Sequence, residues 1–406
     1  MNGWTYLVFA LAGAWLTVNA ARPSRHPKLL VVSWLAAFLT TDLAPFHVLL
    51  AAVVTAVFAW GGVLDSPPGQ AAFLIIAASS TWLIVLWLPN WRAAGAAVKA
   101  AAELELDAAP AIPKKLMLVP FKRVIDGVRV QRNIEFTRQG GRALKLDIYR
   151  PELNEDRRPA LLYLHGGGWL VGDKGTQGLP LCNQLSKLGW VCVNANYRLS
   201  PAATWPDHLV DAKAAVAWIR EHADEYGIDP GFIAVAGGSA GGHIAAMLAL
   251  TAGDPGLQPG FEDADTRIQA AATFYGVYDL TNRLGVHHPD FLTKMIGPLI
   301  LKAFPDTEPE RFSAASPRDH VARVSQPWLV LQGDRDTLTP AAEARDFAAA
   351  LREHSSEPVG YLELPRAQHA FDLYYSPRAI ASVETAVRFL ATSHRRAMEA
   401  RERSDP

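Results

Sequence analysis

Two hydrophobic regimes divide the chain. In the first, apolar positions run almost unbroken: Gly3–Ala21 and Gln70–Leu88 carry no charge at all. Each approaches the roughly 20 residues that a helix needs to cross a bilayer. Between them, Leu29–Trp60 is equally apolar but is interrupted by Asp42, Pro45 and His47. From Val128 onward the pattern changes to short apolar runs alternating with amphipathic stretches, which predicts an α/β fold with a largely parallel sheet. Ile134–Phe136 and Leu144–Tyr149 alternate like paired antiparallel edge strands, turning at Gly140-Gly141. Buried strands are predicted at Ala160–Leu164, Val191–Asn194, Phe232–Ala236, Ala270–Phe274, Trp328–Leu331 and Val359–Leu362. Helices are predicted at Leu179–Leu188, Pro206–His222, Gly242–Thr251, Pro340–Glu353 and Pro377–Thr392, the second with a core stripe of Leu209, Ala212, Val216 and Ile219.

Charge orients the first regime. Arg22, Arg25 and Lys28 follow the first apolar stretch, Arg92, Lys99, Lys114 and Lys115 follow the last, and the Gly61–Gly69 loop carries only Asp65. The positive-inside rule places both basic segments on the cytoplasmic side. An even number of crossings must separate them, so Leu29–Trp60 is expected to cross once, giving three spans and a cytoplasmic C-terminal domain. Trp82, Trp87 and Trp91 suit the membrane interface. A cleaved signal peptide would show a basic n-region, and a helical domain packed in water would show polar faces; neither is present. Asp42 and His47 are potentially intramembrane polar groups and thus functional candidates, though no role follows from sequence. The expected organisation is a membrane block over residues 1–92, a proline-broken connector over 93–126 that could lie along the membrane surface, a catalytic domain over 127–393, and a charged tail over 394–406 that frays from the last helix.

Composition adds little beyond this. Half of the 406 residues are hydrophobic, and 39 basic against 40 acidic residues leave a formal net charge of −1, which gives no reason to expect nucleic-acid binding. Cys182 and Cys192 lie in apolar stretches and read as two buried free thiols.

The chemistry concentrates where predicted strands end. Phe232–Ala236 runs into Gly237-Gly238-Ser239-Ala240-Gly241, a serine between glycines at a strand-to-helix junction. Ala160–Leu164 runs into His165-Gly166-Gly167-Gly168-Trp169, whose glycines let the backbone approach a ligand and turn N–H groups inward. In acyl transfer such donors, here Gly167 and Gly168, form half of an oxyanion hole, and the N–H of Ala240 supplies the rest. His165 suits a structural hydrogen-bonding role better than a catalytic one. Two late strands lead to Gly333-Asp334-Arg335-Asp336-Thr337-Leu338 and to Ala367-Gln368-His369-Ala370-Phe371. The order Ser239, Asp336, His369 supplies a nucleophile, an orienting carboxylate and a base, with Asp334 the alternative acid. Between Tyr278 and Val321 the strand–helix rhythm lapses; an insertion over about 279–320 is expected to form a lid, its Phe291, Leu292, Met295, Ile296, Leu299 and Ile300 covering an acyl chain, docking on lipid or packing on the main domain. His287-His288 with Asp290 is disfavoured as a metal site, because adjacent histidines rarely reach one ion.

The HGGGW, GGSAGG, GDRDTL and AQHAF segments, with Asn196-Tyr197-Arg198-Leu199-Ser200-Pro201, Trp205-Pro206 and Asp211, resemble the hormone-sensitive-lipase-like carboxylesterases, an α/β-hydrolase family. The resemblance covers about residues 128–392. It implies an α/β-hydrolase fold and ester hydrolysis without cofactor or metal, with Asp336, the second acid of its loop, as the triad carboxylate. Trp169 and Gly238 are expected beside the substrate. Typical members carry a soluble cap where this chain carries its apolar block, and that block suggests a lipid or other apolar ester delivered from the bilayer. In arrangement the chain also resembles the isoprenylcysteine methylesterases; amide hydrolysis on the same triad is a further alternative. A dead scaffold would be expected to have lost a triad residue or the oxyanion glycines, and all are present.

Overall fold

The computed structural model describes residues 2–152 and 157–404. Its centre is an eight-stranded sheet in the order β1-β2-β4-β3-β5-β6-β7-β8. The strands are β1 (Val128–Gln139), β2 (Arg142–Pro151), β3 (Arg158–Leu164), β4 (Val191–Ala195), β5 (Ile228–Gly238), β6 (Ala270–Phe274), β7 (Trp328–Gly333) and β8 (Val359–Leu364). β1 and β2 form the antiparallel edge and β2 meets β4 antiparallel; from β4 across to β8 the strands are parallel. Every predicted strand is present, most of them longer by one to four residues at an end.

The central strands are apolar on both faces because helices cover both. Leu162, Leu164, Val191, Val193 and Val235 point to one core, while Leu161, Tyr163, Cys192, Ala234 and Ala236 point to the other. The helices are α1 (Gly3–Ala21), α2 (Leu30–Asp42), α3 (Ala44–Trp60), α4 (Pro67–Trp87), α5 (Arg92–Glu103), α6 (Leu179–Lys187), α7 (Asp207–Glu221), α8 (Ala223–Tyr226), α9 (Ala240–Leu250), α10 (Pro309–Ala314), α11 (Ala341–His354) and α12 (Pro377–Ser404). The α7 stripe of Leu209, Ala212, Val216 and Ile219 is fully buried, as its spacing predicts. Both cysteines are free and buried.

Three expectations need correction. Leu29–Trp60, expected to cross once, is not one continuous helix: α2 and α3 meet at Leu43 with a bend of 83°. Pro45 in the first turn of α3 forbids a continuous hydrogen-bond ladder through that point. Asp42, the last residue of α2, is drawn out of the apolar block to Arg378 on α12, 2.9 Å away, and both side chains are buried. His47 instead lines a cavity of about 200 Å³ among the N-terminal helices. The connector does not lie apart from the domain: Ala93, Ala100, Ala101 and Leu106 join the core beneath the sheet. Nor does the last helix fray after Ala391. It runs to Ser404, because Arg395 pairs with Asp107 at 2.7 Å and Arg401 with Asp229 at 2.7 Å.

Inside the N-terminal block, Tyr6 stacks on Phe58 at 4.8 Å and donates to Thr55 Oγ1 at 2.9 Å. Its own core is small: Tyr6, Ala10, Phe58, Val63 and Ala72. Most of its other large apolar side chains face outward, among them Trp4, Phe9, Trp15, Leu49, Leu74 and Trp60.

Arg378→Met leaves the Asp42 carboxylate buried without its cation and should cost about 3–5 kcal/mol of stability. Arg345→Met removes an exposed pair to Glu363 and should cost about 1 kcal/mol or less. Thermal unfolding of the nanodisc-embedded protein checks the difference.

Candidate active site

Ser239 sits between β5 and α9 with φ 58° and ψ −123°, a conformation that side-chain-bearing residues seldom adopt. Its N–H donates to Phe274 O at 3.0 Å, and its carbonyl accepts from His243 N–H at 3.0 Å, starting the helix. The flanking glycines are required by close backbone approach. A Cβ on Gly241 would lie 2.1 Å from Leu164 O, and one on Gly237 would lie 2.4 Å from Gly241 O.

The loop after β3 reaches the same place. Gly167 and Gly168 have φ of 122° and 61°, and a Cβ on Gly167 would lie 2.0 Å from Val171 O. Among the described residues, none accepts a hydrogen bond from the N–H of Gly167, Gly168 or Ala240. Gly166, the first of the three glycines, presses against the serine: a Cβ there would lie 2.9 Å from Ser239 Cβ. Its N–H is held by Gln177 Oε1 at 2.7 Å. His165 is buried, stacks on Tyr197 at 4.4 Å and contacts Gly166 O through Nδ1 at 2.8 Å. Burial holds its pKa below the ordinary histidine value, which suits the structural role expected of it.

Asp336 and His369 meet across the ends of β7 and β8, with His369 Nδ1 donating to Asp336 Oδ2 at 2.7 Å. The carboxylate is pinned from several sides. Oδ1 accepts from the N–H groups of Leu338 and Thr339, both at 2.8 Å. Oδ2 also accepts from Thr339 Oγ1 at 2.8 Å and Gln332 Nε2 at 3.2 Å. Asp334 is exposed at the surface of its loop, its pKa raised by partial desolvation, and it accepts a backbone hydrogen bond from Arg366 rather than from His369. Tyr275, at the end of β6, bridges the two halves of the site. Its ring lies 4.5 Å from that of His369, its hydroxyl donates to Asp372, and Gly238 leaves the room it occupies. Burial lifts the pKa of Asp372 to about 6.

Two expected neighbours of substrate lie elsewhere. Trp169 is 1% exposed and packs edge-on against His243 at 5.1 Å, so it supports the glycine loop from within the core. Gly238 faces Tyr275 rather than open space. Its lack of a side chain serves packing.

The expected lid is a π-helix at Phe291–Leu301. Ile296, Ile300 and Leu301 pack into the main core, while Met295 reaches back so that a Cβ on Gly168 would lie 3.0 Å from its Cε. The helix therefore packs on the main domain and brings Met295 to the glycine loop. A cavity of about 1040 Å³ lies between it, the Asp336–Leu338 loop and Arg25, Pro27, Lys28, Leu30 and Val31 of the N-terminal block. His287 does not gather a metal site; it pairs with Glu343 at 2.6 Å, and no metal-holding cluster occurs among the described residues.

Sequence reasoning missed Thr339, Gln332, Tyr275 and Trp34. Trp34, on α2, donates from Nε1 to the carbonyl of His369 at 3.1 Å. Nothing in the spacing of the motifs signals these contacts.

Strand order, the turn at Ser239 and the placement of Asp336 and His369 at neighbouring strand ends define an α/β-hydrolase. Residues 146–351 match the BD-FAE family, and the chain belongs to it. Esterase LipQ of Mycobacterium tuberculosis is 46% identical over 267 residues, 65% of this chain and 63% of that protein. The probable carboxylic ester hydrolase LipM of the same organism is 47% identical over 253 residues, 62% of this chain and 58% of that protein. The chain thus spans about three fifths of the length of these curated relatives. Among solved structures, propionate-bound esterase Est2 of Thermogutta terrifontis superposes with a TM-score of 0.54 at 28% identity, covering 66% of this chain and 94% of that one.

Two buried histidines beneath the glycine loop make stability depend on pH. Burial pushes the pKa values of His208 and His243 down to about 4. The unfolded chain then binds more protons than the folded one between about pH 6.5 and 4, so stability is full above that window and falls through it on acidification. The slope should approach 1.4 kcal/mol per pH unit for each histidine. Chemical denaturation at stepped pH should show this fall, and a His208→Gln/His243→Gln double variant should flatten it.

Proposed function

We propose that this protein is a membrane-anchored serine carboxylesterase that works through Ser239, His369 and Asp336. The observation that carries the reading is the 2.7 Å contact between His369 Nδ1 and Asp336 Oδ2, one strand-end away from a serine held in a strained turn. The esterase names of the relatives at 46% and 47% identity support the same chemistry.

In this mechanism Asp336 fixes the His369 tautomer, leaving Nε2 to take the Ser239 proton as Oγ attacks the ester carbonyl. The N–H groups of Gly167, Gly168 and Ala240, which no described protein group engages, receive the oxyanion. The positive end of α9 adds to that field. His369 then protonates the departing alcohol, and water repeats the sequence on the acyl-enzyme. Side chains and main-chain N–H groups supply every step.

The apolar block supports anchoring and an apolar substrate. Only 22% of the most apolar stretch of α1 and 11% of that in Pro67–Glu103 is covered by protein, which leaves apolar surface far larger than a soluble monomer exposes. With the bend at Leu43, the spans become α1, α3 and α4, and α2 stays on the cytoplasmic side with the catalytic domain. That arrangement keeps Arg22–Lys28 and Arg92 on one side, as their charge requires. The roomy cavity beside Asp336 then opens near the bilayer surface, where a lipid ester or a small apolar ester would enter.

A fluorophosphonate probe should label wild-type protein and not Ser239→Ala, and Ser239→Ala should lose hydrolysis of p-nitrophenyl butyrate. Wild-type turnover in Ser239→Ala would overturn the assignment. Asp336→Asn should lower kcat by on the order of 10³–10⁴-fold through the wrong histidine tautomer, whereas Asp334→Asn should leave most of it. Reporter fusions at Asp65 and Ala100 should lie on opposite sides of the membrane; the same side would overturn the topology.

A further inference from the structure

We infer that α2 of the N-terminal block is part of the catalytic centre, with Trp34 as a positioning residue for His369. The inference rests on the esterase reading and goes beyond it, because it makes the anchor a component of the active site rather than a tether.

Three residues one helical turn apart carry the argument. Trp34, Phe38 and Asp42 fall at i, i+4 and i+8, so they form one stripe along α2. All three touch the segment that holds the histidine. Trp34 Nε1 donates to His369 O at 3.1 Å, and its ring meets the imidazole edge-on at 5.7 Å. Phe38 stacks on Tyr374 at 5.8 Å. Asp42 accepts from Arg378 Nη1 at 2.9 Å, and Arg378 Nη2 donates to Arg366 O at 2.6 Å. The helix therefore grips the loop before, at and after His369.

The grip has a mechanical purpose. His369 Nδ1 is fixed by Asp336, but a ring can still swing about that contact unless its own backbone is held. Ala370, next in the chain, has φ 67°, so the loop does not follow a relaxed path of its own. Within the catalytic domain, Tyr275 covers the imidazole at 4.5 Å. Trp34 supplies the contact that the domain leaves to the membrane block. Small errors in base placement are expensive in rate, so a contact of this kind acts on kcat. Val32 and Leu35, off that stripe, are exposed, which leaves the helix lying between the apolar surroundings and the histidine loop.

The test uses the full chain in phosphatidylcholine nanodiscs, with p-nitrophenyl butyrate as substrate. Trp34→Phe keeps the ring and loses the donor; it should lower kcat about tenfold, the usual weight of one hydrogen bond, with KM within about twofold and an unchanged melting temperature. Trp34→Ala should lower kcat further. Trp60→Ala, at a residue of the same block that is 94% exposed, should behave as wild type. Fluorophosphonate labelling of Ser239 should slow in parallel with kcat. If Trp34→Ala misfolds, Trp34→Phe decides. Wild-type kcat in Trp34→Phe and in folded Trp34→Ala, beside an inactive Ser239→Ala, overturns the inference alone. Activity in Ser239→Ala overturns the esterase reading and this inference with it.

Discussion

The site depends on one close backbone crossing. The start of α9 passes so near the end of β3 that Gly241 can carry no side chain against Leu164 O, and Gly237 none against Gly241 O. That approach forces the chain from strand to helix within one residue, and Ser239 is that residue, at φ 58°. A position with such a backbone costs on the order of 1–3 kcal/mol and persists only where its surroundings over-determine it. Here they do. β5 lies between β3 and β6, with Leu164 opposite Gly237 and Gly238 opposite Phe274. The serine is thus presented from a central strand of the sheet, and the glycine loop after β3 is brought to it by the same register.

The other members of the site inherit their places from the same geometry. Parallel strands put all their carboxyl ends on one edge, so the segments after β3, β5, β6, β7 and β8 converge without any contact in sequence. The last two strands pair in register from Trp328↔Val359 to Gly333↔Leu364, which sets the Asp336 and His369 loops beside each other. Asp336 is then held by five donors, too many for its position to be left to the histidine alone. Such support is what makes an orienting carboxylate effective, since precision in the base comes from the residues behind it.

The sequence made the local features legible. The buried strands are short apolar runs with their own turn signals, and Ser239, Asp336 and His369 each follow one, so the strands and the segments after them could be read from the chain, while the order of the strands in the sheet could not. What escaped were properties set by a distant partner. Trp169 looks like a pocket residue beside three glycines, but His243 draws it into the core. The tail after Ala391 looks like solvated charge, yet its arginines find Asp107 and Asp229 and keep the helix intact. Asp42 interrupts an apolar stretch for no local reason; its reason is Arg378, 336 residues on. Thr339 and Gln332 carry no pattern at all, because their role is defined only by the carboxylate they meet.

The N-terminal block joins the domain at two points of different kind. One is covalent and stiff: the helix that begins at Pro67 continues through a tight turn at Leu88–Trp91 to Glu103, and its far end is buried in the core beneath the sheet. The other is tertiary, the α2 stripe on the histidine loop. A single flexible tether would leave the domain free to rotate above a membrane, and its mouth would face lipid only part of the time. Two separated attachments, one of them a rigid helix, remove that freedom. The buried ion pair between Asp42 and Arg378 favours this docked state over any other, because separating the two elements without rehydrating both charges leaves each uncompensated. The bend at Leu43 is what makes the second attachment possible: a straight helix through Leu29–Trp60 would carry Trp34 and Asp42 into the apolar block and away from His369. The bend is therefore the structural step that lets one chain supply both the apolar block and a helix packed against the His369 loop.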